Sequence, residues 1–252
     1  MKKLCLALLV TIAAVACASQ EGETPQGSET PALRQVQSIQ LPNVVGRIDH
    51  LALDSEGARL FVAPLGDNTV EVIDLEAGNR TDEIKNLQEP QGVVYVPESN
   101  KLLVTNGEGD TLDIYDGKSL TLLDRVVLGD DPDNVRYDAT TGDAYVGYGI
   151  GNSSVLGVVD VDDGTKVADI KLSGHPESFQ LEEKGQRIFV NVPTANHIAV
   201  VDRGGGSVTA TWPVENAEEN FPMALDEVDH RLFVGTRSPA NYLFSTPTRA
   251  RW

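Results

Sequence analysis

The hexapeptide Arg59-Leu60-Phe61-Val62-Ala63-Pro64 has four further copies in this chain, which begin at Lys101, Asp143, Arg187 and Arg231. Successive copies start 42, 42, 44 and 44 residues apart. Each copy begins with a charged residue and continues with branched or aromatic side chains. This composition favours a strand packed between two layers. A repeat of this length with several short strands is typical of the blade of a β-propeller.

We therefore predict an all-β fold, a β-propeller of four-stranded blades over residues 34–240, with about 4.5 repeats. The repeats run over 47–90, 91–132, 133–176 and 177–220, with a partial repeat over 221–240 and an atypical tail over 241–252. The quoted motif is the second strand of each blade. The third strand ends in an aspartate before a glycine-bearing turn, as at Asp74, Asp116, Asp160 and Asp202. We interpret Asp160 to Gly164 as such a turn, because the downstream bidentate acid of a calcium loop is missing.

The segments at the two ends of the repeat region depart from the repeat pattern, and we predict a structure for each. Residues Arg34 to Leu41 alternate like the last strand of each repeat, and we expect them to pair with the last blade as an N-terminal closing strand. After Arg231 to Thr236 the pattern breaks, although Tyr242 to Phe244 retain a short strand pattern. This ending indicates a C-terminally truncated chain, either an open arc or a five-bladed ring.

The repeats also resemble a known family. Asn68-Thr69-Val70-Glu71-Val72-Ile73-Asp74 and Leu103-Val104-Thr105-Asn106 are similar to the bacterial YVTN-type propeller repeat. The resemblance covers about residues 34–240 and is specific for the fold. It implies an exported protein whose relatives have seven blades, so that about 100 residues are missing at this repeat length. The family is a scaffold class with few assigned activities.

The leader predicts export. Lys2 and Lys3 precede an apolar run from Leu4 to Ala16, which is too short to span a membrane and is typical of a signal peptide over residues 1–16. Ala14-Val15-Ala16-Cys17 resembles a bacterial lipobox, so we expect a lipid anchor on Cys17; the alternative is an ordinary signal peptide cut near Ala16. Residues 17–33 then form a tether in the cell envelope, facing the periplasm.

Charge and cysteine content exclude some classes of partner and chemistry. The formal charge is −18, from 38 acidic and 20 basic residues, which argues against nucleic acid as a partner. Both cysteines, Cys5 and Cys17, precede the repeats, so the repeat region contains no disulfide. The partners that remain are the membrane, through the lipid anchor, and an unknown protein or small molecule.

The connections that enter the first strand of each blade are the candidate ligand site. Propeller ligands usually sit over the central channel, where these connections meet. The polar residues at the aligned positions are Asp49, His50, Gln91, Asp133, Asn134, Glu177 and Ser178. Three carboxylates and an amide from separate segments suit a cation or a polar ligand. The alternative is that these side chains only hydrate the channel and satisfy strand ends.

Three hypotheses for the function follow. The first is an envelope-anchored propeller that acts as a binding or interaction scaffold; we expect no cofactor, and a bound divalent cation is the alternative. The second is a metal-dependent, lactonase-like hydrolase in which Glu177, Asn134 and Asp133 hold the metal. The third is a truncated gene product without independent function. Motifs of serine hydrolases, haem proteins, nucleotide-binding proteins and zinc proteases are missing from the sequence, which favours a protein that is not an enzyme.

Overall fold

The computed structural model describes residues 34–245, and within them the chain is a β-propeller. Nineteen strands form five antiparallel sheets, each of which is one blade. The predicted signal peptide, Cys17, the predicted tether and residues 246–252 lie outside the described part. In the described part, none of the helices has the length and apolar character that crossing a membrane requires.

Four blades have four strands and the fifth has three. Blade 1 contains β1 (Ile48–Asp54), β2 (Arg59–Pro64), β3 (Val70–Asp74) and β4 (Asn79–Ile84). Blade 2 contains β5 (Pro90–Val96), β6 (Lys101–Asn106), β7 (Thr111–Asp116) and β8 (Leu122–Val127). Blade 3 contains β9 (Val135–Asp138), β10 (Asp143–Tyr148), β11 (Val155–Asp160) and β12 (Thr165–Lys171). Blade 4 contains β13 (Phe179–Leu181), β14 (Arg187–Val192), β15 (His197–Asp202) and β16 (Ser207–Pro213). Blade 5 contains β17 (Glu218–Asp226), β18 (Arg231–Ser238) and β19 (Ala240–Ser245). Short 3₁₀ turns cover Leu65–Asp67, Gly151–Ser153 and Pro193–Ala195.

The repeated hexapeptide forms the second strand of every blade, as predicted. All five copies start their strand at the residue expected from the sequence. The aspartate that ends the third strand holds the following turn in the four complete blades: Asp160 Oδ1, for example, accepts hydrogen bonds from the backbone N–H groups of Asp162 and Asp163 at 2.9 and 2.8 Å. The carboxylate of Asp160 is therefore used by its own turn.

The core consists of four apolar layers between neighbouring blades. The layer between blades 1 and 2 contains Phe61 and Leu102, and the next contains Leu103 and Val146. The last layer joins blades 4 and 5, where Phe189 lies 5.3 Å from Trp212 between ring centroids. Successive residues of a strand face opposite layers, so Leu102 and Leu103 serve different interfaces.

The N-terminal closing strand is not formed. Residues 34–47 contain no strand, which corrects the prediction for Arg34 to Leu41. Near the first strand, the backbone N–H of Val45 donates instead to Asp67 Oδ2 at 2.7 Å. A closing strand needs the edge of the last blade beside the first blade. In the described residues those two blades bury no common apolar layer.

Blade 5 is continued by the unusual C-terminal segment. Tyr242, Leu243 and Phe244 pair with β18, so the propeller extends past the predicted boundary at residue 240. Phe233 and Phe244 lie on the face of blade 5 that points away from blade 4 and are 37% and 66% exposed. On blade 1, Leu51 and Leu53 are 54% and 56% exposed. The faces that would meet in a closed five-bladed ring therefore lie open to solvent.

Candidate functional site

Bulges at the inner ends of the first strands aim side chains into the centre of the propeller. The register of β1 shifts between Ile48 and Leu51, and β5 and β17 shift at the same place in their blades. One extra residue bends the strand and turns its neighbours out of the ladder. Of the polar residues that the repeat alignment selected, Asp49, His50 and Gln91 lie in these bulges, whereas the others directly precede β9 and β13.

One large cavity collects all seven predicted site residues. Its volume is about 1230 Å³, and its lining includes residues from each of the five blades. The predicted residues in its wall are Asp49, His50, Gln91, Asp133, Asn134, Glu177 and Ser178. The aligned position of the fifth blade, Phe221, lines the same cavity. The repeat alignment therefore predicted which residues line the cavity. Which of their atoms lie in contact is decided by the fold.

His50 is held between an amide and two carboxylates. Its Nε2 lies 2.9 Å from Asn134 Oδ1, while its Nδ1 lies 3.2 Å from Asp49 Oδ1 and 4.0 Å from Asp133 Oδ1. Burial lowers the pKa of His50, but the adjacent Asp49 and Asp133 carboxylates outweigh burial and raise the pKa above its ordinary value. The nearby His50 imidazole in turn lowers the pKa of Asp49, with a smaller contribution from Arg47. The imidazole is thus oriented with Nδ1 towards the acids.

Asp133 is the most deeply placed carboxylate of the cavity, with only 8% of the residue exposed. Its backbone carbonyl accepts hydrogen bonds from the Gly92 N–H at 3.1 Å and from Thr105 Oγ1 at 2.6 Å. Burial, together with the Asp49 charge, raises the pKa of Asp133. The Oδ1 atom of Asp133 is buried without a hydrogen-bond partner, as is Nδ1 of His50. Two buried polar atoms therefore face each other without a donor or acceptor that satisfies either of them.

Glu177 and His175 approach Asp133 from the side of blade 4. Ligand atoms of these three residues all lie within 4.8 Å of one another. Burial and the neighbouring Asp133 charge raise the pKa of Glu177 to about 7. His175 Nδ1 lies 2.8 Å from the backbone carbonyl of Gly149, so its Nε2 is the nitrogen available to the cavity. Asp133 is therefore shared by two clusters of titratable side chains.

The cavity has an acidic lining that also contains three arginines. Its carboxylates are Asp49, Glu89, Glu108, Asp110, Asp130, Asp131, Asp133 and Glu177, and its guanidinium groups are Arg47, Arg136 and Arg237. Arg136 is held over the Phe179 ring at 5.6 Å, and burial lowers the pKa of its guanidinium. Arg237 stacks on Phe221, with Cζ 3.9 Å from the ring centroid. The carboxylates outnumber the cations, so the lining favours positive charge.

Sequence reasoning missed part of this lining. Glu108 and Asp110 lie in the connection between the second and third strands of blade 2, which also faces the channel. That connection was recognisable from the repeat alignment, since it occupies the same place in every blade. The repeat alignment did not mark Arg136 as a cavity residue. It lies within β9, and the direction of its side chain depends on how blades 3 and 4 pack.

Comparisons with known proteins support the architecture. No protein-family model matches this chain, and no curated protein matches it. Among solved structures, hydrazine synthase of Kuenenia stuttgartiensis superposes with a TM-score of 0.69 and 18% sequence identity. The match covers 79% of this chain and 59% of that one. The chain is a β-propeller. At this identity the likeness concerns the propeller fold alone, so the function is argued from the cavity.

Proposed function

We propose that this propeller is a binding protein of the bacterial cell envelope that holds a small, positively charged molecule in its central cavity. The observation that carries the proposal is the single acidic cavity to which all five blades contribute. Its volume of about 1230 Å³ is above the usual range of about 300–1,000 Å³ for small-molecule sites, so it accommodates an organic cation with its hydration. The resemblance to YVTN-type repeats, which implies a scaffold, supports a binding role over a catalytic one.

The proposed binding of a cation can be tested by neutralising two carboxylates in the cavity lining. Glu108 and Asp110 are exposed and line the cavity, so their neutralisation leaves the core intact. Binding of a panel of polyamines and basic dipeptides is measured by calorimetry in a buffer with chelator. We expect Glu108→Gln with Asp110→Asn to weaken binding at least tenfold. The matched control, Glu76→Gln with Asp82→Asn, removes the same charge from exposed positions outside the cavity lining and leaves the affinity unchanged.

Two results would contradict the cationic ligand. One is a panel in which no cation binds below millimolar concentration. The other is equal weakening by the cavity and control variants, which would assign the effect to net charge. Binding must also decrease as salt is raised from 50 to 500 mM, because the attraction between separated charges is screened.

The envelope location is a second part of this proposal. It is supported by the short apolar leader, by the lipobox-like Ala14-Val15-Ala16-Cys17 and by the polar stretch that follows. We expect the native protein to fractionate with membranes and Cys17→Ser to release it into the soluble fraction. Since one acyl chain gives only marginal binding, more than one chain is expected on the mature cysteine. A soluble native protein with an unmodified N-terminus would exclude the anchor.

A metal-dependent hydrolase is the second candidate, because Asp133 and Glu177 converge with two histidines in one cavity. Asn134, which the lactonase-like hypothesis uses as a metal ligand, has its side-chain oxygen beside His50 Nε2 instead. Lactone and ester substrates incubated with added zinc or calcium distinguish the two candidates. Turnover that Glu177→Gln abolishes would establish the hydrolase, whereas the binding proposal expects no turnover.

A further inference from the structure

We propose that Asp49, His50 and Asp133 form a binding site for one divalent transition-metal ion, for which zinc is the probe. These three residues are called the metal triad below. They come from blades 1 and 3, and their ligand atoms all lie within 4.8 Å of one another. The site is additional to the proposed binding of an organic cation and is tested independently of it.

The distances in the metal triad suit a common ion. Zinc binds nitrogen and oxygen ligands at about 2.1 Å, which puts two ligands about 3.0 Å apart at a right angle, about 3.4 Å at a tetrahedral angle and about 4.2 Å when opposite. His50 Nδ1 lies 3.2 Å from Asp49 Oδ1 and 4.0 Å from Asp133 Oδ1. Both separations fall within that range, so the side chains need only small adjustments to hold the ion.

Two ligands of the metal triad, Asp49 and His50, are each oriented by a second contact. Arg47 donates to Asp49 Oδ2 at 2.9 Å, which leaves Oδ1 towards His50. The Nε2–H of His50 donates to Asn134 Oδ1 at 2.9 Å, which leaves the Nδ1 lone pair towards the acids. Metal-binding histidines commonly have such a partner on the other ring nitrogen, since it fixes the tautomer and the ring orientation.

Two atoms of the metal triad are buried without a hydrogen-bond partner. They are His50 Nδ1 and Asp133 Oδ1, and Asp133 as a whole is 92% buried, given its 8% exposure. A neutral imidazole whose Nε2–H faces Asn134 directs a lone pair at two carboxylates, an arrangement that is repulsive without a cation. A divalent ion accepts all three ligand atoms at once and removes the need for a proton between them.

The ligand types indicate the class of metal. An imidazole nitrogen beside carboxylates suits zinc and its first-row neighbours, whereas calcium and magnesium prefer sites made only of oxygen. Three protein ligands also leave a coordination position for water or a ligand, which is the pattern of zinc sites that act on or bind other molecules.

A neighbouring cluster shares Asp133. Asp133, His175 and Glu177 satisfy the same distance criterion. In this second cluster, neither His175 nor Glu177 has a buried side-chain atom without a hydrogen-bond partner. In the metal triad, His50 has one. Variants on the two sides of Asp133 therefore separate the two clusters.

The test uses the mature chain without an affinity tag, stripped with chelator and titrated with zinc by calorimetry. We expect one zinc ion per chain, and at least tenfold weaker binding in His50→Ala and in Asp49→Asn. Glu177→Gln should retain the parent affinity within about threefold, the scatter allowed for context-dependent contributions. His230→Asn, at an exposed turn, is the control for adventitious histidine binding. Cobalt added to the parent should produce a visible absorption band that His50→Ala removes.

Three outcomes would overturn the metal triad. They are the lack of zinc binding below millimolar concentration, unchanged binding in His50→Ala, and loss of binding in His175→Ala with retention in His50→Ala. Melting curves confirm that each variant is folded, and the conservative Asp49→Asn retains its shape if His50→Ala does not fold. The organic-cation assay contains chelator, so failure of one proposal leaves the other standing.

Discussion

The buried carboxylate of Asp113 depends on a single oppositely charged partner. The Asp113 side chain is fully buried in the middle of β7, where Arg125 Nε and Nη2 each donate to one of its oxygens at 2.7 Å. Tyr115 adds a hydrogen bond from its hydroxyl at 3.1 Å. The Arg125 guanidinium is half exposed, whereas the Asp113 carboxylate is buried. If the pair is broken, the carboxylate is therefore left without hydration.

Arg125→Ala should therefore lower the free energy of unfolding by about 3 kcal/mol, the low end of the range for breaking a buried pair, because Arg125 is half exposed. Denaturant unfolding measures this loss. Lys85→Ala is the control: it breaks the surface pair with Glu83, which contributes less than about 1 kcal/mol. Equal effects of the two substitutions would contradict the argument from burial.

Gly92 shows how one missing side chain shapes the site. A Cβ atom at this position would lie 2.3 Å from the backbone oxygen of Asp133 and 2.9 Å from Thr105 Oγ1. The residue aligned with Gly92 in blade 1 is His50. The close approach of β5 to Asp133 thus requires glycine here.

Gly92→Ala should displace the Asp133 backbone and lower the free energy of unfolding by about 1–3 kcal/mol, as expected for overpacking. It should also weaken zinc binding, since Asp133 moves. Gly204→Ala is a suitable control, because a Cβ there meets nothing closer than 4.0 Å. The interpretation fails if Gly92→Ala melts at the parent temperature.

At the scale of the elements, ion pairs join neighbouring blades as well as strands. Asp138, at the end of β9, pairs with Arg203, which follows β15 in blade 4, and their side chains are only 4% and 7% exposed. Arg203 also donates to the backbone carbonyl of Glu182 at 2.8 Å. Blades 3 and 4 are therefore connected by a buried charge in addition to their apolar layer.

This pair predicts a dependence of stability on pH. Burial raises the pKa of Asp138, but hydrogen bonds from Thr140 and the Arg203 guanidinium outweigh burial, so the net pKa lies below the ordinary value. A carboxyl with a lowered folded-state pKa stabilises the fold above its unfolded pKa of about 3.9 and loses that contribution as pH falls through the folded pKa. The melting temperatures of the parent and Asp138→Asn should differ by several degrees at pH 7, and the difference should shrink as the pH falls below the unfolded pKa of about 3.9. A constant difference across that range would contradict the assignment.

At the scale of the whole propeller, the first and last blades each present an open apolar face. Leu51 is 54% exposed, whereas the aligned Val93, Val135 and Phe179 in the inner blades are at most 4% exposed. On blade 5, Phe244 is exposed beside Phe233, at the edge of a three-stranded sheet. Apolar faces and free sheet edges favour association with other molecules.

We expect the purified chain to self-associate with increasing concentration, as measured by sedimentation velocity. Phe244→Lys combined with Leu53→Lys should shift the distribution towards the monomer, because each places a charge on one of the open faces. Val228→Lys adds a charge at an apolar residue in a turn that is 84% exposed, and serves as the control. A parent protein that remains monomeric at all concentrations would contradict the expectation.

Local sequence patterns were sufficient for the strands and the turns. The repeated hexapeptide marked the second strand of all five blades, and the aspartate at the end of the third strand marked the turn after it, since both depend on contacts within about ten residues. The alignment of repeats also predicted which polar residues meet at the centre, because equivalent positions in a propeller lie around one axis.

Contacts between distant segments required the fold. Arg34 to Leu41 alternates like a strand but forms none, because a strand needs a partner edge and that edge depends on how the terminal blades meet. His50 and Asp133 lie on different blades, and neither residue carries a local signal of the other. The distances between them, and the burial that leaves two of their atoms without partners, result from the packing of three successive blades.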